Sequence, residues 1–246
     1  MQIHHTKGIV LRTVKYGETS IIATVYTELF GIQSYMIKGV RKFSSKTTFK
    51  ANCFQPAAIL EMQVYHHPLK NIQFVKSYHW HTVYTNVFSD VVRNAVAMYI
   101  IELLQQGLKQ PEANPELFYL VENTLQQIDK GSNTLVSNLP IYFTLHYCSE
   151  LGFKIQGTCN TETPILDFKE GKFVQEMPAH HYYTNDIAAK TISQINNINL
   201  YNEVENIQLN GDIRRTILQH LQQYFSLHIH DYNNIKSLHI LQEILG

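Results

Sequence analysis

The hydrophobic period of this chain changes once, near residue 86, and that change limits the folds open to it. Before it, apolar and β-branched residues come in short runs separated by turn signals. Ile3 to Tyr16 is one such run and ends at Gly17-Glu18-Thr19. Ser20 to Thr27 follows and ends at Glu28-Leu29-Phe30-Gly31, and Ile32 to Lys38 closes at Gly39. Phe54 to His66 and Ile72 to Thr82 are two more, joined across His67-Pro68-Leu69-Lys70-Asn71. Five strands in about 80 residues, read in meander order, predict a small closed barrel of the OB type.

After Asn86 the period is helical. Val92, Val96, Tyr99 and Leu103 fall on one helical face, and Gly107 and Pro111 end that helix. Pro115 opens a second, with Leu117, Leu120, Val121, Leu125 and Ile128 as its stripe. A third runs from about Leu135 to Leu151 and closes at Gly152. Residues 153–178 hold Gly157, Pro164, Gly171 and Pro178, with strand-like runs at Ile165–Phe168 and Lys172–Val174, and read as an irregular insert. A short helix is predicted over Ile187 to Ile195. Asp212 is read as the cap of another, with Ile213, Ile217, Leu221 and Tyr224 facing inward. The last helix spans Ile235 to Leu245, with Leu238 and Leu241 on its apolar side. The predicted fold class is therefore α+β. A five-stranded OB-type barrel over 1–82 precedes an all-helical domain over 83–246, which carries the insert at 153–178.

A net charge of zero hides two unlike halves. Residues 1–80 carry ten Lys or Arg and three carboxylates, Glu18, Glu28 and Glu61, for a net +7; residues 81–246 carry ten basic and seventeen acidic residues, for −7. A basic module of this size attracts a polyanion, because released counterions drive phosphate binding. The densest part is Val40 to Lys50, which has no usable period and reads as a long loop. Lys38, Arg41, Lys42, Lys46 and Lys50 are interleaved there with Phe43 and Phe49, and no carboxylate intervenes. Ser44, Ser45, Thr47 and Thr48 can bond phosphate oxygens. Single-strand binding needs this combination, a cationic track for the backbone and aromatic faces for bases. Arg12, Lys15 and Tyr35 are candidates to extend the surface, beside Tyr16 and Tyr26. Arg12 and Lys15 are an odd number apart and cannot share one face of a regular strand. Each tyrosine has the alternative of packing the barrel.

Other classes are poorly served. The three carboxylates of the first 80 residues are isolated, whereas metal-dependent nucleases cluster theirs. There is no Gly-rich loop with Lys-Ser/Thr and no Gly-x-Ser-x-Gly elbow. Thirteen histidines include His79 and His81, two apart on a predicted strand, but no run has the spacing of a zinc site. Cys53, Cys148 and Cys159 are odd in number and widely spaced, which points to a reducing cytosol without a disulfide framework. Hydrophobic content of 44% with 16% charged residues is that of a folded globular chain. No apolar stretch approaches the roughly 18 residues of a membrane span, and Met1-Gln2-Ile3-His4-His5 lacks the pattern of a signal peptide. A cytoplasmic, nucleoid-associated protein is expected.

Several motifs recur in order: Thr6-Lys7-Gly8-Ile9-Val10-Leu11-Arg12, then Tyr16-Gly17-Glu18-Thr19-Ser20, and Ile32 to Lys50 with Lys38-Gly39-Val40-Arg41-Lys42. Leu151-Gly152-Phe153, Leu166-Asp167-Phe168, and Arg214-Arg215 in a helix ending near Tyr224 follow. In these the chain resembles the bacterial recombination mediator and DNA repair family RecO, over nearly its whole length. The resemblance implies an OB barrel, a helical domain and an insert that in many members carries a four-cysteine zinc knuckle. Here Cys159 stands alone where a knuckle would begin, so neither zinc nor any other cofactor is expected. The resemblance also implies a protein without catalytic turnover that binds single- and double-stranded DNA and anneals complementary strands. It implies binding to the acidic C-terminal tail of the single-stranded DNA-binding protein, joining RecR, and helping RecA to load with RecF. The helix of Arg214 and Arg215 becomes part of a pocket for that tail, with Leu238 or Leu241 adding apolar contacts. Cations in a first helical turn oppose the dipole, so an acidic partner, or a local bridge to Asp212, Glu203 or Glu205, must compensate them. A general OB-fold nucleic-acid-binding module without a mediator role is the alternative, and a nucleic-acid-processing enzyme is a further one.

Overall fold

The computed structural model describes residues 2–40, 52–109 and 111–245. Five strands, β1 (Ile3–Tyr16), β2 (Ser20–Thr27), β3 (Gly31–Ile37), β4 (Ile59–Tyr65) and β5 (Ile72–Trp80), close into a barrel in the order β1-β2-β3-β5-β4. The barrel and its OB character are as expected, but the order is not a meander. β3 is followed in sequence by β4 yet pairs in parallel with β5, through Ser34↔Ile72, Tyr35↔Gln73 and Met36↔Phe74. β4 lies antiparallel between β1 and β5. A parallel neighbour needs a crossover rather than a hairpin. Among the described residues closure gives every barrel strand a neighbour on both sides for at least part of its length.

Side-chain size limits the barrel interior. A Cβ on Gly8 would stand 2.6 Å from Val25 Cγ1 and 2.8 Å from Met62 Sδ, so only glycine fits there. Gly31 turns β2 into β3 at φ +60°, and a Cβ would meet the Glu112 carbonyl oxygen at 2.2 Å. Ile9, Val10, Leu11, Ala23, Val25, Tyr35 and Val64 are fully or almost fully buried.

Helices α1 (Val91–Gly107), α2 (Pro115–Lys130), α3 (Asn133–Glu150), α4 (Ile187–Asn196), α5 (Tyr201–Glu205), α6 (Gly211–His228) and α7 (Ser237–Ile244) follow. By contacts the chain forms two compact units, Met1–Tyr84 with Leu108–Leu125, and Thr85–Gly107 with Gln126–Gly246. Leu108–Leu125 cluster by contacts with the barrel unit. In the second unit the Tyr99 hydroxyl lies 2.9 Å from Thr144 Oγ1, and Tyr147 donates to the Leu104 carbonyl at 3.1 Å. Buried Asn138 donates to the carbonyls of Ile207 and Val204. These bonds satisfy polar groups that burial would otherwise penalise. Lys236, at the start of α7, makes no side-chain cap bond. Glu102 of α1 takes that role, accepting from the Lys236 and Ser237 amides at 2.9 and 2.8 Å and from the Ser237 hydroxyl at 2.6 Å.

The cap of α6 is Asn210, not Asp212: its side chain accepts from the Ile213 amide at 2.8 Å, while Asp212 lies inside the first turn. Both residue types favour N-caps, and the helix starts two residues earlier than the apolar stripe suggests. The insert is more regular than its sequence. β6 (Ile165–Asp167), β7 (Lys172–Val174) and β8 (Tyr183–Thr184) form a three-stranded sheet in the order β7-β6-β8. The third strand lies beyond residue 178, so the sheet extends past the predicted insert.

Candidate nucleic-acid interface

Where β3 and β5 part, the barrel unit opens a groove of about 1000 Å³. The described pairing between them stops at Met36↔Phe74, whereas β5 runs on to Trp80. Met36, Ile37 and Lys38 line one bank, and Val75 to Trp80 line the other. A bulge shapes the second bank. Val64 pairs with Val75 and Gln63 with Ser77, which leaves Lys76 without a partner residue on β4. The extra residue inverts the strand's alternation. Phe74 then shares a side with Tyr65, while Tyr78 and Trp80 share the other with Met62 and Leu60. The groove so collects rings from both faces of β5, with Tyr65, Phe74, Tyr78 and Trp80 all on its lining.

Charge follows the same pattern. Lys38 and Lys76 are exposed, and no carboxylate occurs among the described lining residues. Lys38 Nζ lies 5.5 Å from the centroid of the Phe74 ring, a cation–π contact that orients both. The Tyr78 ring meets Phe54 nearly edge-on at 4.7 Å between centroids. Burial pushes the Tyr78 hydroxyl up to about 12, with Cys53 adding to the shift, so Tyr78 remains a neutral phenol near pH 7 and does not repel phosphate.

Most of the predicted surface residues fall into three groups. Arg41, Lys42, Phe43, Lys46, Phe49 and Lys50 lie outside the described residues. Lys38 lines the groove, and Arg12 and Lys15 are exposed with Val14 and Tyr16 near the end of β1, where the strand loses its cover. Tyr35 is fully buried in the barrel and presents no ring to a ligand. Of the second-unit candidates, Leu238 and Leu241 belong to the core. Arg214 is 8% exposed. Its guanidinium donates to the carbonyls of Leu245 and Leu209, both at 3.1 Å, and to Asn138 Oδ1. Arg215 keeps 41% of its side chain exposed and bridges Asp212 at 3.3 Å, the local compensation that its position in the first turn calls for. Phe74, Lys76, Tyr78 and Trp80 were not among the residues read as a site. Their signal is an aromatic–cation alternation within one strand, visible in the sequence but eclipsed by the denser basic run at Val40–Lys50.

The second histidine of the His79/His81 pair has a different task. His81 Nδ1 lies 2.9 Å from Glu61 Oε1, and its Nε2 lies 3.0 Å from Glu122 Oε1. Lys7 Nζ donates to Glu122 Oε2 at 2.5 Å. Glu122, 4% exposed, thus has the Lys7 ammonium and the His81 ring beside its carboxylate. Removing one partner of a buried pair leaves a charge uncompensated. Lys7→Met is expected to cost about 3 kcal/mol, the low end of the usual range because His81 stays alongside. The double variant Lys7→Met with Glu122→Leu should restore most of that loss in urea unfolding.

The insert is poor in thiols. Cys159 is its one thiol, with its Sγ 3.6 Å from the Pro164 carbonyl and its amide donating to Ser193 Oγ at 2.8 Å. Asn160 Oδ1 accepts from the Glu162 and Thr163 amides at 2.8 and 2.9 Å, so side-chain bonds tie this loop. One thiol does not make the four-ligand set of a structural zinc. Among the described residues no cluster of three or more His, Cys, Asp or Glu could hold a metal ion, and no helix is long and apolar enough to cross a membrane.

Residues 1–84 match the domain family described as Recombination protein O N terminal, and residues 89–239 match its counterpart, Recombination protein O C terminal. The chain belongs to the RecO family. The DNA repair protein RecO of Christiangramia forsetii is 29% identical over 98% of this chain and 99% of its own length. That of Flavobacterium psychrophilum is 28% identical over the whole of both chains. The RecO of Azobacteroides pseudotrichonymphae is 25% identical over 98% of this chain and 99% of its own. The barrel coincides with the N-terminal RecO domain, and the groove lies within it.

Proposed function

We propose that this chain is a recombination mediator that binds single- and double-stranded DNA, anneals complementary strands and helps RecA load on coated single strands together with RecR and RecF. The observation that carries this reading is a carboxylate-free groove of lysines and aromatic rings on an OB-type barrel, in a chain of the RecO family. Annealing asks a protein to neutralise two like-charged strands and leave their base edges free. Contacts to the sugar–phosphate backbone do this without reading sequence. The excess of seven positive charges in residues 1–80 supports it. The acidic second half has no such excess and suits protein partners, and Arg215 can exchange its exposed bridge to Asp212 for an acidic peptide. The cellular setting that goes with these roles is the cytoplasm, on the nucleoid.

A peptide carrying the acidic C-terminal tail of the single-stranded DNA-binding protein tests the mediator role by calorimetry against the full chain. A mediator binds it, more weakly as salt rises. A general OB-fold module has no reason to recognise it, and absence of binding at low salt contradicts the proposal.

A further inference from the structure

We propose that the groove between β3 and β5 is a stacking subsite for unpaired bases, with Tyr78 and Trp80 as the platform and Lys38 and Lys76 on the sugar–phosphate. The inference rests on the DNA-binding reading above and specifies which form of DNA this groove takes. Three observations point the same way. Tyr78 and Trp80 are two residues apart beyond the bulge and so lie on one side of β5, about 7 Å apart along the strand. Each is half-buried, which leaves part of its ring at the groove surface while the rest is held by the barrel. Tyr78 is oriented by Phe54, so its ring is placed before any ligand arrives.

The chemistry selects the occupant. Stacking requires a flat, unsaturated face, and a paired duplex offers such faces only at its ends. Its flanks present phosphates, which the two lysines can hold but the rings cannot use. An unpaired strand offers a base at every step, and any base serves because each has a π-face. Stacking also leaves hydrogen-bonding edges outward, so a second strand can pair with what the groove holds.

Trp80 is the only tryptophan of the chain, so its emission reports on this groove alone. The full chain is titrated with end-labelled oligothymidylate, with an abasic sugar–phosphate oligomer of the same length, and with a duplex, following label anisotropy and Trp80 emission together. Oligothymidylate is expected to bind and to quench Trp80. The abasic oligomer should bind at least about fivefold more weakly and leave the emission unchanged, as should the duplex; one lost base stack accounts for that factor. Tyr78→Leu should lower oligothymidylate affinity by a similar factor without changing abasic binding, and Tyr78→Phe, which keeps the ring, should retain it. Equal binding of oligothymidylate and abasic oligomer with unchanged Trp80 emission overturns the subsite and leaves DNA binding intact. No binding of any of the three overturns both readings.

Discussion

Replacing Arg41, Lys42 and Lys46 together by glutamine is expected to lower affinity for single-stranded DNA about fiftyfold at 0.15 M salt. The estimate follows from counterion release. If the basic Val40–Lys50 segment meets about four phosphates, log K falls with log salt at a slope near −3, and losing three contacts leaves a slope of about −0.7. At about 0.15 M the difference amounts to between one and two orders of magnitude in K. The loss should be nearly equal for all sequences, because phosphate contacts carry no base information. Anisotropy titrations of labelled oligonucleotides of differing sequence, across a salt series, measure both quantities. A loss below twofold, or a slope unchanged by the three substitutions, contradicts the electrostatic account of this basic segment.

Asp129→Ala should destabilise the second unit by about 4 kcal/mol, enough to lower its urea midpoint clearly. Asp129 is 2% exposed and sits near the end of α2. Its carboxylate accepts the backbone amides of Thr85 at 2.9 Å, Asn86 at 2.7 Å and Val87 at 3.1 Å. Asn86 Nδ2 donates back to the Asp129 carbonyl at 2.8 Å. Three amides on successive residues have no regular secondary structure to bond within, so one carboxylate fixes the path of the chain into α1. Bonds to a charged acceptor are worth about 1.5–3 kcal/mol each, and truncation leaves buried donors unmet. Asp129→Asn keeps an acceptor oxygen but sets an NH₂ group against the remaining donors, and should lose about half as much. Helical circular dichroism through a urea series gives both values. An alanine variant with an unchanged midpoint would show that water replaces the carboxylate without cost.

What could be read from the sequence was what depends on neighbours along the chain. β1 and β2 run over the same residues as their apolar patterns, because alternation and the Gly17 turn are local. α1 ends at Gly107 and α2 begins at Pro115, as those two residues signal. Strand order was not legible, since nothing in the Ile59–Tyr65 run records that it lies beside β1 rather than β3. Arg214 illustrates the same limit at one side chain. Its acceptors come from Asn138, Leu209 and Leu245, which are far apart in sequence, so its burial has no local signature. The groove escaped for a related reason. Lys38 and the Phe74–Trp80 stretch meet only because β3 pairs with β5, and the bulge at Lys76 hides which rings share a side.

The most direct test of the central claim mixes two complementary oligonucleotides, each coated with the cognate single-stranded DNA-binding protein, and follows duplex formation with and without this chain. The account predicts faster annealing of the coated strands, and a smaller gain at higher salt, because the chain must both recognise the coat and neutralise the strands. Acceleration confined to bare strands, or none at all, would contradict a mediator role.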